Sequence, residues 1–214
     1  MVKCKRTYPA PASLAKRVSY NSPDVIKCLK EIFHGKCYIC EMQDLQDGIV
    51  EHLVPHKDKD MGLKFGWDNL FWSCNHCNSL KKRAEYEGNI IDCCKTDPEL
   101  HVKSIYNPHS DTVSVKAKDM QQNSRMTAQL IEESFNRDNT GIRINATGQR
   151  MMKFHEEWNR FHRVLKEYRN SHNTYHKNKV AARLRRKTAF AAFKREYIRD
   201  HCSEYPDLQE FVVL

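Results

Sequence analysis

Two CxxC pairs, Cys37-x2-Cys40 and Cys74-x2-Cys77, stand 33 residues apart, and no other feature restricts the fold of this chain as much. A CxxC pair on a turn lets both thiolates reach one ion, and two such pairs complete a tetrahedral zinc site with no open position. A closed site of this kind is structural: it stabilises a small fold but has no place for a water. The interval is longer than a compact zinc finger needs, so further structure is inserted between the knuckles. Two readings compete with zinc: unrelated cysteine pairs, and a dithiol redox couple. The redox couple is the weaker, because neither CxxC reads as opening a helix after a buried strand.

The chain has 214 residues, 40% of them hydrophobic, enough for one large domain or two small ones with an apolar core. No run of about 18 apolar residues is present, so no membrane span is expected. The basic start MVKCKRTYPAPASLAKR lacks the apolar segment of a signal peptide, and the expected location is the cytoplasm. Thiols stay reduced there, so the nine cysteines point to metal or redox chemistry before disulfides. Cys4, Cys28, Cys93, Cys94 and Cys202 show no ligand spacing. Cys28 reads as packed on the apolar face of a helix, and the adjacency of Cys93 and Cys94 argues against a shared metal.

The net charge of +9 is unevenly placed. Residues 1 to 100 hold 15 Lys and Arg against 14 Asp and Glu, whereas residues 150 to 199 hold 15 against 4. A concentrated positive field attracts a polyanion, and nucleic acid is the usual one. A solvated face on a charged helix is the plainer explanation of the same pattern.

Along the chain, residues 1–20 read as an irregular arm broken by Pro9 and Pro11. Ser22-Pro23 opens a helix in which Val25, Ile26, Leu29, Ile32 and Phe33 recur at helical spacing, and Gly35 ends it. Ile49 to Val54 alternates as a hairpin strand should and stops at Pro55. Residues 57–66 read as a loop, and a short helix is expected from about Asn78 to Glu87. Segments 102–106 and 112–117 read as a second hairpin around Asn107-Pro108. Helices are then expected over 123–136, about 146–170 and about 177–200. Phe154, Trp158, Phe161, Leu165 and Tyr168 keep one face of the second of these, which makes a buried seam a better reading than a base-stacking platform. The last helix buries Val180, Leu184, Phe193 and Tyr197 and turns Arg183, Arg185, Arg186, Lys187, Lys194 and Arg195 mostly outward.

Between the knuckles lies Glu51-His52-Leu53-Val54-Pro55; Asn69 follows, then Asn78 directly after the last cysteine pair. Phosphodiester hydrolysis needs a base to deprotonate water and a cation to neutralise charge on the phosphate. A histidine, with its unperturbed pKa of about 6.5, offers a neutral imidazole near neutral pH. Glu51 and Asn78 offer the hard oxygen ligands that Mg2+ or Mn2+ prefers. Neighbours on a strand point to opposite faces, so Glu51 and His52 share a site only if the strand twists or ends there.

KCYICE, VEHLVP and WDNLFWSCNHCNSLK together resemble the HNH endonuclease signature. The resemblance spans about 50 of the 214 residues, Lys36 to Arg83. It implies an α+β fold: a zinc-stabilised hairpin-helix (ββα-metal) core with an N-terminal helix and a helical C-terminal region. His52 is then the general base, Glu51 the acidic metal ligand before it, and Asn69 the asparagine that orients hairpin and base. Asn78 takes the third signature position and binds the catalytic Mg2+ or Mn2+. An asparagine there, where many members have histidine, makes this an "HNN" version. Lys81 falls on the lysine of the CNxxK tail and, with Lys82 and Arg83, is expected to hold phosphate on an exposed helix. Cys37, Cys40, Cys74 and Cys77 hold zinc.

The chain divides on this reading into an arm (1–20), a zinc-containing nuclease domain (21–100) and a basic helical region (101–214). Across residues 14 to 90 it further resembles the HNH nuclease subunit of Septu antiphage systems and retron-associated HNH nucleases. Such proteins act beside an SMC/ABC-like ATPase subunit, which implies an antiviral defence role with that partner. The substrate implied is DNA, with RNA, tRNA included, as the alternative. A non-catalytic zinc-stabilised nucleic-acid-binding module remains open, as does a regulatory subunit with a decayed site. His76 and the histidines at 155, 162, 172, 176 and 201 read as surface residues, and His56 as a loop residue near the site.

Overall fold

The computed structural model describes residues 1–136 and 142–214, with side chains from 147 onward in the second span. The fold is mixed α+β, with two small antiparallel sheets of two strands each among the described residues. Helix α1, Pro23–Ile32, has proline at its first position and buries Val25, Leu29 and Ile32. Gly35, with φ of 69°, closes it by donating to the Lys30 carbonyl.

Strand β1, Gly48–His52, pairs with β2, Leu70–Cys74, so that Gly48 lies opposite Cys74 and His52 opposite Leu70. A Cβ at Gly48 would overlap the Trp72 indole, which is why the strand starts on glycine. β1 starts one residue before and ends two residues before the strand its alternation predicts. The loop expected over 57–66 contains a short helix, α2, Met61–Phe65, capped by Asp60. Helix α3, Asn75–Lys81, starts three residues earlier than expected, because the Cys74 sulfur accepts from the Cys77 N–H and caps it.

A short helix α4, Pro98–His101, leads into the second hairpin, β3 (Val102–Asn107) and β4 (Thr112–Ala117), as the sequence predicts. Helix α5, Gln122–Asn136, packs over it; Glu132 and Asn136 accept from Val115 N and Val113 N and so cover the free edge of β4. Helix α6, Ile142–Ser171, places Phe154, Trp158, Phe161, Leu165 and Tyr168 in the core, as their spacing requires. One continuous cluster of buried side chains runs from Met1 to Val212 and includes both hairpins.

Three expectations fail here. Residues 1–20 are irregular apart from a 3-10 helix at 12–16, but they do not stand apart as an arm: Met1, Val2, Cys4 and Arg6 are buried. Arg6 donates to the carbonyls of Trp67 and Leu70 while its guanidinium lies over the Trp67 and Phe71 rings.

The single helix expected over 177–200 is two, α7 (Thr174–Leu184) and α8 (Ala191–Asp200). Glu41, one residue past the first knuckle, supplies the reason. Its carboxylate accepts from the N–H groups of Ala191 and Ala192 and so caps α8 from outside the helix. The buried Lys36 ammonium bonds Glu41 and the carbonyls of Arg186 and Thr188 in the break.

The basic residues of α7 and α8 are also not a single outward row. Lys194 and Arg195 are buried, and Arg186, Arg195 and Arg199 converge on Glu99, itself 2% exposed. Removing one partner of a buried ion pair costs about 3–5 kcal/mol, because the remaining charge stays desolvated. Glu99→Ala leaves the buried Arg195 without a carboxylate, while Arg186 keeps Asp97 and Arg199 keeps Glu196; it is expected to lower the melting temperature by roughly 10 °C, given 2–4 °C per kcal/mol for chains of this size. A thermal melt followed by circular dichroism checks this.

Candidate functional site

Cys37 and Cys40 sit on the tight turn before β1, where Cys37 N bonds Met42 O and Glu41 N bonds Cys37 O. Cys74 ends β2, and Cys77 lies in the first turn of α3. The four sulfurs lie within 4.8 Å of one another and all four residues are buried. Zinc bound at Zn–S of about 2.3 Å in a tetrahedron would set sulfurs roughly 3.8 Å apart, so the cluster can hold a zinc ion. The separation of Cys40 and Cys74 Sγ, 4.0 Å, is close to that spacing.

Four thiols this close cannot all ionise without a cation. Burial would raise Cys40, but hydrogen bonds from the other three hold it well below the ordinary thiol range. Cys74 is held well above that range by its sulfur neighbours, and Cys77 by burial. One premise of the sequence reading fails: Cys74-x2-Cys77 does open a helix after a fully buried strand. The gathering of all four sulfurs, not that spacing, separates a metal site from a redox pair.

Sequence reasoning missed Arg150. It enters from α6, is 1% exposed, donates to Ser134 O, and brings Nη2 to 3.6 Å from Cys74 Sγ. A zinc ion with four thiolates carries two net negative charges, and a buried guanidinium offsets part of that. The available signal was helical: Arg150 stands four residues before Phe154 on the apolar seam.

On the hairpin, His52 is half-buried, and its Nε2 donates to the Lys64 carbonyl at 3.0 Å. A carbonyl only accepts, so the proton is on Nε2 and Nδ1 keeps its lone pair. Burial lowers the His52 pKa below the usual histidine value, which keeps the ring neutral at pH 7. Tyr20 meets the ring edge-on at 4.6 Å, and His56 at 4.5 Å. His56 is thus a neighbour of the site, its own Nδ1 accepting from Asp58 N.

Asn69 is buried and closes the loop that carries these residues. Its Oδ1 accepts from Val54 N at 2.8 Å, and its Nδ2 donates to Val54 O and Leu63 O at 2.8 and 2.9 Å. Leu63 precedes Lys64, whose carbonyl holds His52. Asn69→Ala removes three part-buried hydrogen bonds, to Val54 N, Val54 O and Leu63 O, at about 0.5–1.5 kcal/mol each. The expected result is a denaturation midpoint shifted downward by several kcal/mol equivalent, read by urea unfolding.

Glu51 points to the other face of β1, as strand alternation dictates, and is buried under α3. Its Oε2 lies 3.2 Å from Lys81 Nζ, which also donates to the His52 carbonyl at 2.7 Å. Lys81 therefore joins the two neighbours. Burial raises the Glu51 pKa, and Lys81 and Tyr38 pull it back. Its Oε1 is buried without a well-formed hydrogen bond, although the Tyr38 hydroxyl is close enough to act on it. Asn78 is half-buried on α3, one turn before Lys81 and so on the face turned toward β1.

The exposed basic row expected on this helix is reduced to Lys82. Lys81 is buried, and Arg83 is tied to Glu133 at 2.9 Å and lies over the Tyr86 ring. His76 is half-buried with a shielded Nε2, not a solvent-facing residue. No helix among the described residues is long and apolar enough to cross a membrane. Compared with family models, with curated proteins and with solved structures, the chain matches none of them.

Proposed function

We propose that this chain is an HNH-type metal-dependent endonuclease whose ββα hairpin-helix is held by zinc on the four cysteines. The observation that carries the reading is the state of His52: a neutral imidazole, its Nε2 proton fixed on Lys64 O, its Nδ1 lone pair left as a base. A histidine held this way suits deprotonation of water, and Asn69 fixes the loop that holds it.

Mg2+ or Mn2+ would be held by Glu51 and Asn78. Glu51 Oε1, buried with the Tyr38 hydroxyl beside it, is an oxygen suited to a hard cation, and so is the Asn78 amide oxygen one turn before Lys81. When bound, the cation supplies neutralisation of charge on the phosphate and the leaving oxygen. Lys82, exposed beside this face, is the residue suited to phosphate, with Lys81 a buried charge behind it. The substrate on this reading is DNA, with RNA the alternative. The setting is cytoplasmic antiphage defence beside an SMC/ABC-like ATPase.

One observation favours a rival, a zinc-stabilised module that grips nucleic acid without cutting it. Lys81 already neutralises Glu51, the carboxylate a catalytic cation needs. Incubation with plasmid, phage DNA and tRNA separates the two readings. A nuclease, alone or with its ATPase partner, yields cut products that require added Mg2+ or Mn2+. A binding module retards the same substrates and leaves them whole under every condition.

A further inference from the structure

A cleft of about 810 Å³ opens between the β3–β4 hairpin and helices α6 and α8, and none of the residues assigned above to zinc, base or cation lines it. Its walls are rings. Tyr106 and Tyr197 meet Trp158 edge-on at 5.3 and 5.6 Å, and His162 lies 4.8 Å from both Trp158 and Tyr197. His201 stacks on Tyr197 at 4.0 Å. Histidines 155, 162 and 201 are therefore parts of one cleft and not the scattered surface residues their spacing implied.

Two polar atoms in this lining are buried and have no partner. Ser104, 3% exposed on β3, leaves its Oγ unbonded, and His162 leaves Nε2 unbonded. Folded proteins rarely leave such atoms unpaired, and two in one cleft ask for a common partner. Other groups around them are fixed in role. His201 Nδ1 donates to Tyr197 O, so its Nε2 is an acceptor. Asp111 accepts from the Tyr106 hydroxyl at 2.8 Å and bonds His155 Nε2.

The charge of the lining restricts the ligand. It includes Asp111 and Asp200 but no lysine or arginine, and Lys103 next to it is committed to Asp200. A phosphate would find carboxylates and no cation there. A flat, uncharged ring with donors and acceptors on its edge fits instead: aromatic walls take its faces and edges, and Ser104, His162 and His201 take its polar atoms. The volume lies in the range of small-molecule sites.

We propose that this cleft binds a nucleobase, with any phosphate kept outside it. The base comes either from a free nucleoside or from an unstacked position in a strand. The inference is independent of the nuclease reading, since no residue is shared and the test measures binding alone.

The test is calorimetric titration with no divalent cation added. One arm uses adenosine, guanosine, cytidine and uridine; the other uses a single-stranded oligonucleotide and the same strand with abasic positions. Saturable binding of a nucleoside assigns the free source. Binding of the strand that weakens at least tenfold on removing its bases assigns the strand source. His162→Leu removes the ring nitrogen at similar bulk, and Ser104→Val fills the wall with a methyl group. Each is expected to weaken binding at least tenfold without lowering the melting temperature, and either one suffices if the other misfolds. The proposal is overturned if no nucleoside binds and base-bearing and abasic strands bind alike. It is equally overturned if the folded variants bind as the unaltered protein does.

Discussion

Cys40→Ala is expected to release zinc and unfold the hairpin, the largest stability effect of any single change in this chain. The four sulfurs join the first knuckle, the end of β2 and the start of α3, all of them buried. A two-stranded sheet such as β1–β2 is marginal by itself, so a zinc ion held by the four sulfurs would contribute much of its stability. Apparent zinc binding energies of about 10–16 kcal/mol in zinc-finger peptides equal or exceed the whole stability of an ordinary domain, about 5–15 kcal/mol. The variant leaves three thiols and the buried Arg150 guanidinium around a cavity. Zinc content should fall from one per chain to none, with loss of the cooperative melt. A strong chelator should do the same to the unaltered protein. A variant that melted normally without zinc would remove the structural role assigned to the cluster.

His52→Ala is expected to have the opposite signature: chemistry lost, fold kept. A positioned general base contributes typically 10²–10⁴ in rate, and the cleavage rate should fall by about that factor. The stability cost is small, because the ring is half-buried and gives up one hydrogen bond, to Lys64 O, and its edge contacts with Tyr20 and His56. About 1–2 kcal/mol covers these. Zinc content should stay at one per chain. The two substitutions thus separate the clamp from the base.

The sequence shows periodicity and spacing clearly and long-range pairing poorly. The cysteine spacing anticipates the cluster, and the seam from Phe154 to Tyr168 is where a 3.6-residue period puts it. The second hairpin follows from alternation on either side of Asn107-Pro108. What stayed hidden depends on partners far apart in the chain. Nothing local to residues 177–200 marks the break at Arg185–Phe190, since the carboxylate that caps α8 belongs to Glu41, 150 residues earlier. The basic run read as a surface because Glu99, which draws Arg186, Arg195 and Arg199 inward, lies about a hundred residues away.

The same limit applies at the site. Glu51, His52, Asn69 and Asn78 stand out as residue types suited to hydrolysis, and the antiparallel β1–β2 pairing with α3 behind it brings their segments together. The ion pair of Lys81 with Glu51 was not readable, because a lysine on a helix after a cysteine pair looks exposed until the helix is laid against the strand. Arg150 was hidden for a related reason: its partner atoms, Cys74 Sγ and Ser134 O, lie on other elements.

The base assigned to His52 is tested most directly by chemical rescue. Zinc-loaded His52→Ala protein is given Mg2+ and nucleic acid, and the single-turnover cleavage rate is followed as imidazole is added. Activity should start near background and rise with imidazole concentration, while the unaltered protein is indifferent to it. Cleavage by His52→Ala at the unaltered rate, with no imidazole present, would contradict the assignment.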